Sequence, residues 1–275
     1  MENKRIYPLT IILPTYNEEE NMNIWLPEVI SQLSDVSYLD FEILVVDDNS
    51  RDLTQSVVSN LILSYKNLRL ITRLDEPSLS DSIYEGITAA TKSNIMWLDA
   101  DGSMDIESIL KIISQAHEDN LESIYVGSRF IKDGGYKGKD KSIDLSINKI
   151  LSNLINSEES PLAIFLSLYF NKILSKILNL GVTDLTSGFI LGPKRHFQKK
   201  PFVNSHYGEY FIKVIVDLHI QGIEINEVGY YCKPRLYGKS KTSTNLFRLI
   251  SLSKPYIFTA ISSRKEIREH LRQRK

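Results

Sequence analysis

An α/β fold with a mostly parallel central sheet is what this 275-residue chain predicts, and three features carry the prediction. Short runs of Ile, Leu and Val alternate with stretches whose apolar residues recur at helical spacing, as in strands buried on both faces and covered by helices. Three of the first four apolar runs stop at polar clusters: Thr15 to Glu18, Asp47 to Ser50, and Asp99 to Asp101. Ligands of open parallel sheets bind outside the carboxyl ends of the strands, so these clusters fall where a site belongs. With 42% hydrophobic and 24% charged residues, the chain can bury a sizeable core and lacks the bias of a disordered one.

Taken in order, residues 6–13 read as the first strand and 21–33 as a helix, with Ile24, Trp25, Val29, Ile30 and Leu33 on its apolar side. A strand is predicted over 41–46 (FEILVV), a helix over 53–63, a strand over 68–72, a helix over 80–90 and a strand over 95–98. The second half is less regular. Residues 123–130 (SIYVGSRF) predict another strand, followed by a Gly- and Lys-rich loop over 132–141, and 142–160 carry no sharp pattern. Ser160-Pro161 suits a helix start, as N-cap and first-turn proline, and that helix is expected to run to Leu180 and stop at Gly181. Residues 223–231 predict a strand, 246–261 a last helix, and 264–275 a basic tail.

Composition excludes several classes. The longest stretch without a charge is 13 residues, 53–65, whereas a spanning helix needs about 20 mostly apolar ones. The apolar run near the N-terminus is too short for a signal peptide. A single cysteine, Cys232, permits no internal disulfide and points to the cytoplasm. Charge is unevenly spread: from Lys233 onward there are 12 Lys+Arg against 2 Asp+Glu, and before it 21 against 32. A basic end on an acidic body suggests an anionic partner, phosphate or anionic lipid. The acidic remainder argues against nucleic acid.

Asp99 and Asp101 close a buried strand two residues apart. Mg²⁺ or Mn²⁺ takes oxygen ligands, commonly one or two carboxylates completed by substrate phosphates, so this spacing suits a metal-bound diphosphate. Alone it is weak, because Asp is common in turns after strands. No G-x-G-x-x-G follows the first strand, and G-x-x-x-x-G-K-[ST], H-E-x-x-H and G-x-S-x-G are absent, which disfavours dinucleotide, P-loop, zincin and serine-hydrolase chemistry.

Three blocks then carry a resemblance: Pro14-Thr15-Tyr16-Asn17-Glu18 with Asn21; Val46-Asp47-Asp48-Asn49-Ser50 with Asp52 and Thr54; and Asp99-Ala100-Asp101. Together they resemble the family 2 glycosyltransferases of the GT-A fold. The second half narrows the likeness to dolichol-phosphate mannosyltransferases and related polyprenyl-phosphate glycosyltransferases, through Gly127-Ser128-Arg129-Phe130 with Gly134-Gly135, Asp184 to Phe189, Glu227-Val228, and Arg235 to Lys241. The blocks occur in the family's order over residues 7–241.

The resemblance implies a GT-A domain over 1–241, with a nucleotide-binding half 1–130 and an acceptor half 131–241, and a helical, basic extension over 242–275. It implies that Pro14, Tyr16 and Glu18 line a nucleotide pocket, that Val46 and Asp48 hold the base, and that Asp99 and Asp101 bind Mg²⁺ or Mn²⁺ beside the backbone of Ala100. Arg129, Arg235 and Lys241 would neutralise phosphates, with Arg suited to bidentate recognition and Lys supplying a point charge. The implied reaction is inverting transfer of a hexose from a nucleotide-diphosphate sugar, GDP-mannose or a UDP-sugar, to a polyprenyl or dolichyl phosphate at the cytoplasmic face of a membrane or beside a membrane-anchored partner. A lipid phosphate needs no general base. A saccharide hydroxyl, the alternative acceptor of surface-polysaccharide synthesis, does need one, and Asp184 and Glu209 are the candidates. A non-catalytic nucleotide-sugar-binding subunit is the alternative of another class.

The chain departs from the family's pattern at three places. Pro77 to Ser82 replaces a Gly-Leu-Gly-like stretch, Ser103 stands where a longer side chain often assists the metal, and Ala163 occupies the position of an expected acceptor-side arginine, with Lys141 and Lys149 as substitutes. The stripe Ile164, Phe165, Leu168, Tyr169, Ile173, Leu174, Ile177 and Leu178 fits a core-facing helix better than an interfacial one.

Overall fold

A computed structural model describes residues 5–119, 123–136, 161–205, 207–237 and 246–273. Its first half alternates strand and helix: β1 (Tyr7–Thr15), α1 (Glu19–Ser34), β2 (Leu39–Asp47), α2 (Thr54–Ile62), β3 (Leu68–Thr72), α3 (Leu79–Ala89), β4 (Asn94–Trp97) and α4 (Ile106–Glu118). The second half adds β5 (Ile124–Ser128), β6 (Gly135–Tyr136), α5 (Pro161–Leu178), β7 (Ile190–Pro193), α6 (Glu209–Ile220), β8 (Ile225–Gly229), β9 (Tyr231–Cys232) and α7 (Leu246–Gln273). The predicted first seven elements are all present, with ends shifted by a residue or two. Helix α4, strand β7 and helix α6 lie where no element was predicted. The last helix runs on to Gln273, so the basic stretch expected as a tail is helical.

Seven strands form one sheet in the order β3-β2-β1-β4-β7-β5-β8. Strands β3, β2, β1 and β4 run parallel, β7 is antiparallel to both neighbours, and β8 runs parallel to β5. The order turns back beside β1, with β2 on one side and β4 on the other, which opens a crevice at their carboxyl ends. β1 and β2 are in register from Tyr7↔Leu39 to Thr15↔Asp47, so both polar clusters leave the sheet at the same edge. Leu98 N donates to Ile12 O at 3.4 Å and delivers Asp99 to that edge as well.

Alternation along β1 divides the core. Leu9, Ile11 and Leu13 face α1 and α4, packing with Met22, Trp25, Leu26, Ile109 and Ile112. Ile12 turns to the other side with Leu44, Val46 and Trp97, under Ile83 and Ile87 of α3 and the apolar faces of α5, α6 and α7. Helix α3 lies so close to the sheet that a Cβ on Gly86 would meet the Ile12 side chain at 2.4 Å. In α5, Leu174 and Leu178 are fully buried while Tyr169 and Ile173 are about half exposed, so the predicted stripe is core-facing only in part.

Candidate active site

The first two polar clusters are stitched to each other. Asn17 adopts a positive φ of 58°; its N–H donates to Ser50 Oγ at 2.8 Å, and its side-chain oxygen accepts from Arg51 N at 2.8 Å. Glu18 N donates to Thr54 Oγ1 at 2.9 Å, and Thr54 Oγ1 donates to Asp52 Oδ1 at 2.5 Å. Asn21 Nδ2 holds the Glu18 carboxylate at 2.7 Å. Asp47 accepts from Ser50 and from Gln55 Nε2 at 2.7 Å and is a turn residue. Beside these turns lies a cavity of about 120 Å³ lined by Tyr16, Asn49, Arg51, Leu74, Asp75, Glu76 and Pro77. Pro14 and Glu18, expected to line a pocket with Tyr16, are half-buried but not among the residues that line this cavity.

Two residues assigned to the base behave differently from each other. The Val46 side chain is fully buried in the core with Gly86 against it, so only its backbone is left for a ligand. Asp48 accepts from Ser78 N at 2.5 Å and from the guanidinium of Arg73. Arg73 is 6% exposed and also sits 3.2 Å from Glu85, so it is a clamp on Asp48 and not a surface residue. The Pro77–Ser82 departure serves this clamp: Ser78 caps α3 and offers its N–H to Asp48.

At the end of β4, Asp101 is 4% exposed. Its Oδ1 accepts from Ser103 N at 2.9 Å, and its Oδ2 pairs with Arg235 Nε at 3.0 Å. Gly102 takes a φ of 73°, a conformation that favours glycine. Residues 232–237 lie along this turn. Met104 bridges Cys232, Lys233 N donates to Ser103 O at 2.8 Å, and Leu236 N donates to Asp101 O at 3.2 Å. Ala100 and Ser103 are buried beneath them. Burial and the adjacent Asp101 push the Asp99 carboxyl up to about 7, against the pull of Arg235, and Glu18 adds to the crowding of negative charge.

No cluster of three or more His, Cys, Asp or Glu suited to a metal occurs among the described residues. Two crowded carboxylates, Asp99 raised to about 7 and Asp101 turned to Arg235, nonetheless match a hard cation that completes its shell with phosphate and water. Asp99 and Asp101 fit that group.

Arg129 and Asp184 are bound to each other, and the Arg129 charge still draws the Asp99 carboxyl down. Asp184 is fully buried and accepts from Arg129 Nε at 2.7 Å, Nη2 at 2.8 Å and backbone N at 3.0 Å. Glu227 accepts from Thr183 N and Asp184 N at 3.0 Å each. Asn171 of α5 donates to Thr186 Oγ1 at 2.9 Å and accepts from Leu185 N at 2.9 Å. Three motif blocks of the second half, around Arg129, Asp184 and Glu227, thus form one hydrogen-bonded bracket joining β5, α5 and β8. Arg129, expected on phosphate, and Asp184, expected as a base, are both engaged within it.

Glu209 is 3% exposed at the start of α6, and its Oε2 accepts from Tyr207 N at 2.9 Å. Burial, Glu209 and Asp99 together raise the Tyr256 hydroxyl to about 12, so Glu209, Tyr256 and Asp99 share one electrostatic neighbourhood. Tyr256 of α7 carried no motif; its signal is only its place in the helix. Lys241, like Lys141 and Lys149, lies outside the described residues, as does the side chain of Ala163.

The model of the glycosyl transferase family 2 matches residues 10–199. The chain belongs to that family. Among curated relatives of this glycosyltransferase domain, a dolichol-phosphate mannosyltransferase of Pyrococcus furiosus is 35% identical over 127 residues, 46% of this chain and 34% of the relative. A dolichyl-phosphate beta-glucosyltransferase, ALG5C, of Trichomonas vaginalis is 26% identical over 80% of this chain and 62% of its own. The matches therefore span about a third and under two thirds of those two relatives. Among solved structures, glucosyl-3-phosphoglycerate synthase of Mycobacterium tuberculosis, in complex with Mn²⁺, UDP and glucosyl-3-phosphoglycerate, superposes with a TM-score of 0.59 at 14% identity, covering 93% of this chain and 79% of that one. The family 2 domain thus has the GT-A fold, with a further helix, α7, at its C-terminal end.

Proposed function

We propose that the protein transfers a hexose, with inversion, from a nucleotide-diphosphate sugar to a polyprenyl phosphate. The observation that carries this reading is the pairing of Asp99 and Asp101 at the carboxyl end of β4 with Arg235 3.0 Å from Asp101, in the crevice where the strand order turns back. The names of the relatives support a dolichyl-phosphate acceptor, and the Mn²⁺ and UDP bound to the structural neighbour support a divalent cation with a nucleoside diphosphate.

Asp99 and Asp101 would hold Mg²⁺ or Mn²⁺, which when bound neutralises the charge developing on the leaving diphosphate. Arg235, a third exposed, exchanges its pairing with Asp101 for a diphosphate oxygen, assisted by Lys241. Tyr16 packs against the nucleoside at the 120 Å³ cavity, and Asp48, held rigid by Arg73, faces the base. The bracket around Arg129 and Asp184 positions the acceptor half. A phosphate acceptor arrives already ionised, so transfer rests on orientation and electrostatics, and Glu209 helps to orient the acceptor.

Thermal-shift titration with GDP, UDP, GDP-mannose and UDP-sugars, each with Mn²⁺ and with EDTA, tests the donor assignment. The expected result is a rise in melting temperature with one base only, abolished by EDTA, because binding to the folded state stabilises it by mass action. No shift with any nucleotide from a cleanly melting sample sinks the proposal. Competition between a short polyprenyl phosphate and a saccharide then decides the acceptor.

A further inference from the structure

Glu209 is held from both sides. One residue before it, Gly208 starts α6 with no side chain to cap the helix. A Cβ there would stand 2.5 Å from Tyr256 Oη, and the Gly208 N–H meets that oxygen. One residue after it, Tyr210 accepts a hydrogen bond from Trp97 Nε1 at 3.2 Å, and Trp97 ends β4 just before Leu98 and Asp99. The Glu209 carboxylate itself turns back to accept from Tyr207 N at 2.9 Å. The first turn of α6 is therefore fixed to the sheet on one side and to α7 on the other, with the buried Glu209 between them.

Tyr256 reaches this turn because of where α7 places it. Ala260, Ser263 and Ile267 follow it on the same side of the helix, and all three are buried. Arg264 donates to Leu178 O at 2.7 Å and pins α7 to the end of α5. The Tyr256 ring meets Phe170 edge-on at 5.8 Å, and the next residue of α5, Asn171, holds Thr186 and Leu185 of the bracket. One side chain of α7 thus touches both α5 and α6, from a position beyond the blocks that carry the family likeness. Burial first, with Glu209 and Asp99 adding to it, raises its hydroxyl to about 12, so near neutral pH it keeps its proton and serves as a hydrogen-bonding group and not as a base.

We propose that Tyr256 is a positioning residue for the transfer: through Gly208 it fixes Glu209 beside the end of β4, so that the last helix completes the site. The inference rests on the proposed function and adds to it a group that no motif supplies. Glu209 can orient an acceptor only if the turn that bears it is rigid, and a displacement of about 1 Å at an orienting group costs about a hundredfold in rate.

Tyr256→Phe keeps the ring against Phe170 and removes only the oxygen. In the whole protein, with the nucleotide sugar that stabilises the parent and a short polyprenyl phosphate as acceptor, kcat is expected to fall by about ten- to a hundredfold. The donor KM, the nucleotide-induced shift and the melting temperature are expected to stay as in the parent, while the backbone amides of 207–211 exchange hydrogen faster. Gly208→Ala supplies a second variant: its methyl strikes the oxygen of Tyr256, but in Tyr256→Phe the nearest ring atom lies 3.4 Å away. The two changes together are therefore expected to cost no more than one alone. Unchanged kcat and exchange in Tyr256→Phe, a loss that follows the melting temperature, or additive losses in the double variant overturn the inference. A parent without any nucleotide-induced shift brings down the donor assignment and this inference with it; a parent that binds and transfers, beside an indifferent Tyr256→Phe, overturns this inference alone.

Discussion

Replacing Asp184 by asparagine separates two roles for one carboxylate. As a base its loss abolishes hydroxyl transfer in a protein of normal stability; as the counter-charge of Arg129 its loss leaves a guanidinium buried and unpaired. The geometry favours the second, since three Arg129 donors converge on it, and removing one partner of a buried pair costs about 3–5 kcal/mol. The expected outcome for Asp184→Asn is a fall of that size in urea unfolding. Asp99 supplies a second test at this scale. Its carboxyl is raised to about 7 by burial and by Asp101, so the metal-free folded state holds a proton that the unfolded state has already released, and stability drops as pH rises toward 7. A cation at Asp99 and Asp101 displaces that proton, and the rise in melting temperature on adding Mn²⁺ is expected to grow as pH is raised through about 7. Asp99, Asp101 and Arg235 are legible in the sequence because a strand end and a motif place them. The Arg73 clamp on Asp48 is not, because it joins side chains 25 positions apart and depends on the register of β2 against β3.

Within the elements, tight packing and one buried carboxylate give further tests. Gly86→Val inserts branches where even a Cβ meets Ile12 at 2.4 Å and Val46 at 3.1 Å, and overpacking of this kind costs about 1–3 kcal/mol; a lowered urea midpoint with an unchanged m-value checks it. Glu42 on β2 accepts from Thr10 Oγ1 at 2.7 Å, Thr91 N at 2.6 Å and Arg69 Nη1 at 2.9 Å. Burial alone raises its carboxyl, but these donors hold it down at about 2. A depressed carboxylate contributes stability that is full above its unfolded value of about 4.3 and is lost as pH falls through the folded one. Glu42→Gln is therefore expected to lose about 1–3 kcal/mol at neutral pH, with the gap to the parent closing between pH ~4 and pH ~2. Strands β1 to β4 were readable because each is a continuous apolar run in a βαβ repeat. Helix α4 left a readable signal in Asp105, which caps it through Ser108 N at 2.9 Å, followed by Ile109, Ile112 and Ile113. Strand β7 left almost none: four residues ending in Gly192 and Pro193 take their identity from being wedged antiparallel between β4 and β5. Helix α6 is apolar on nearly every side because the sheet, α7 and the 200–205 turn all cover it, and that erases the period a sequence reading needs.

Across the whole molecule, the remaining question is whether α7 is an appendage or part of the body. Its charge sets it apart, and a reading from composition detaches it. Its contacts do not. The Tyr256 ring stands 5.8 Å from Phe170 of α5, a Cβ on Gly208 would strike Tyr256 Oη, Arg264 donates to Leu178 O at 2.7 Å, and Ala260 and Ile267 belong to the core beneath the sheet. Stripping away the helix removes Tyr256 and Ile267 from the core and uncovers the faces of α5 and α6 they pack on, at about 1.5–3 kcal/mol for each large side chain. A chain ending at residue 245 is therefore expected to lose roughly 5 kcal/mol and to bind an apolar dye in the absence of denaturant. A chain ending at Ile267 keeps the buried contacts, loses only Arg268, Arg272 and their neighbours, and is expected to melt within a few degrees of the parent, because surface changes away from packed groups cost about 0.5 kcal/mol or less. If the shorter chain melts like the parent, the helix is an appendage after all. If it alone collapses, the same helix that carries the positive charge outward also closes the core inward.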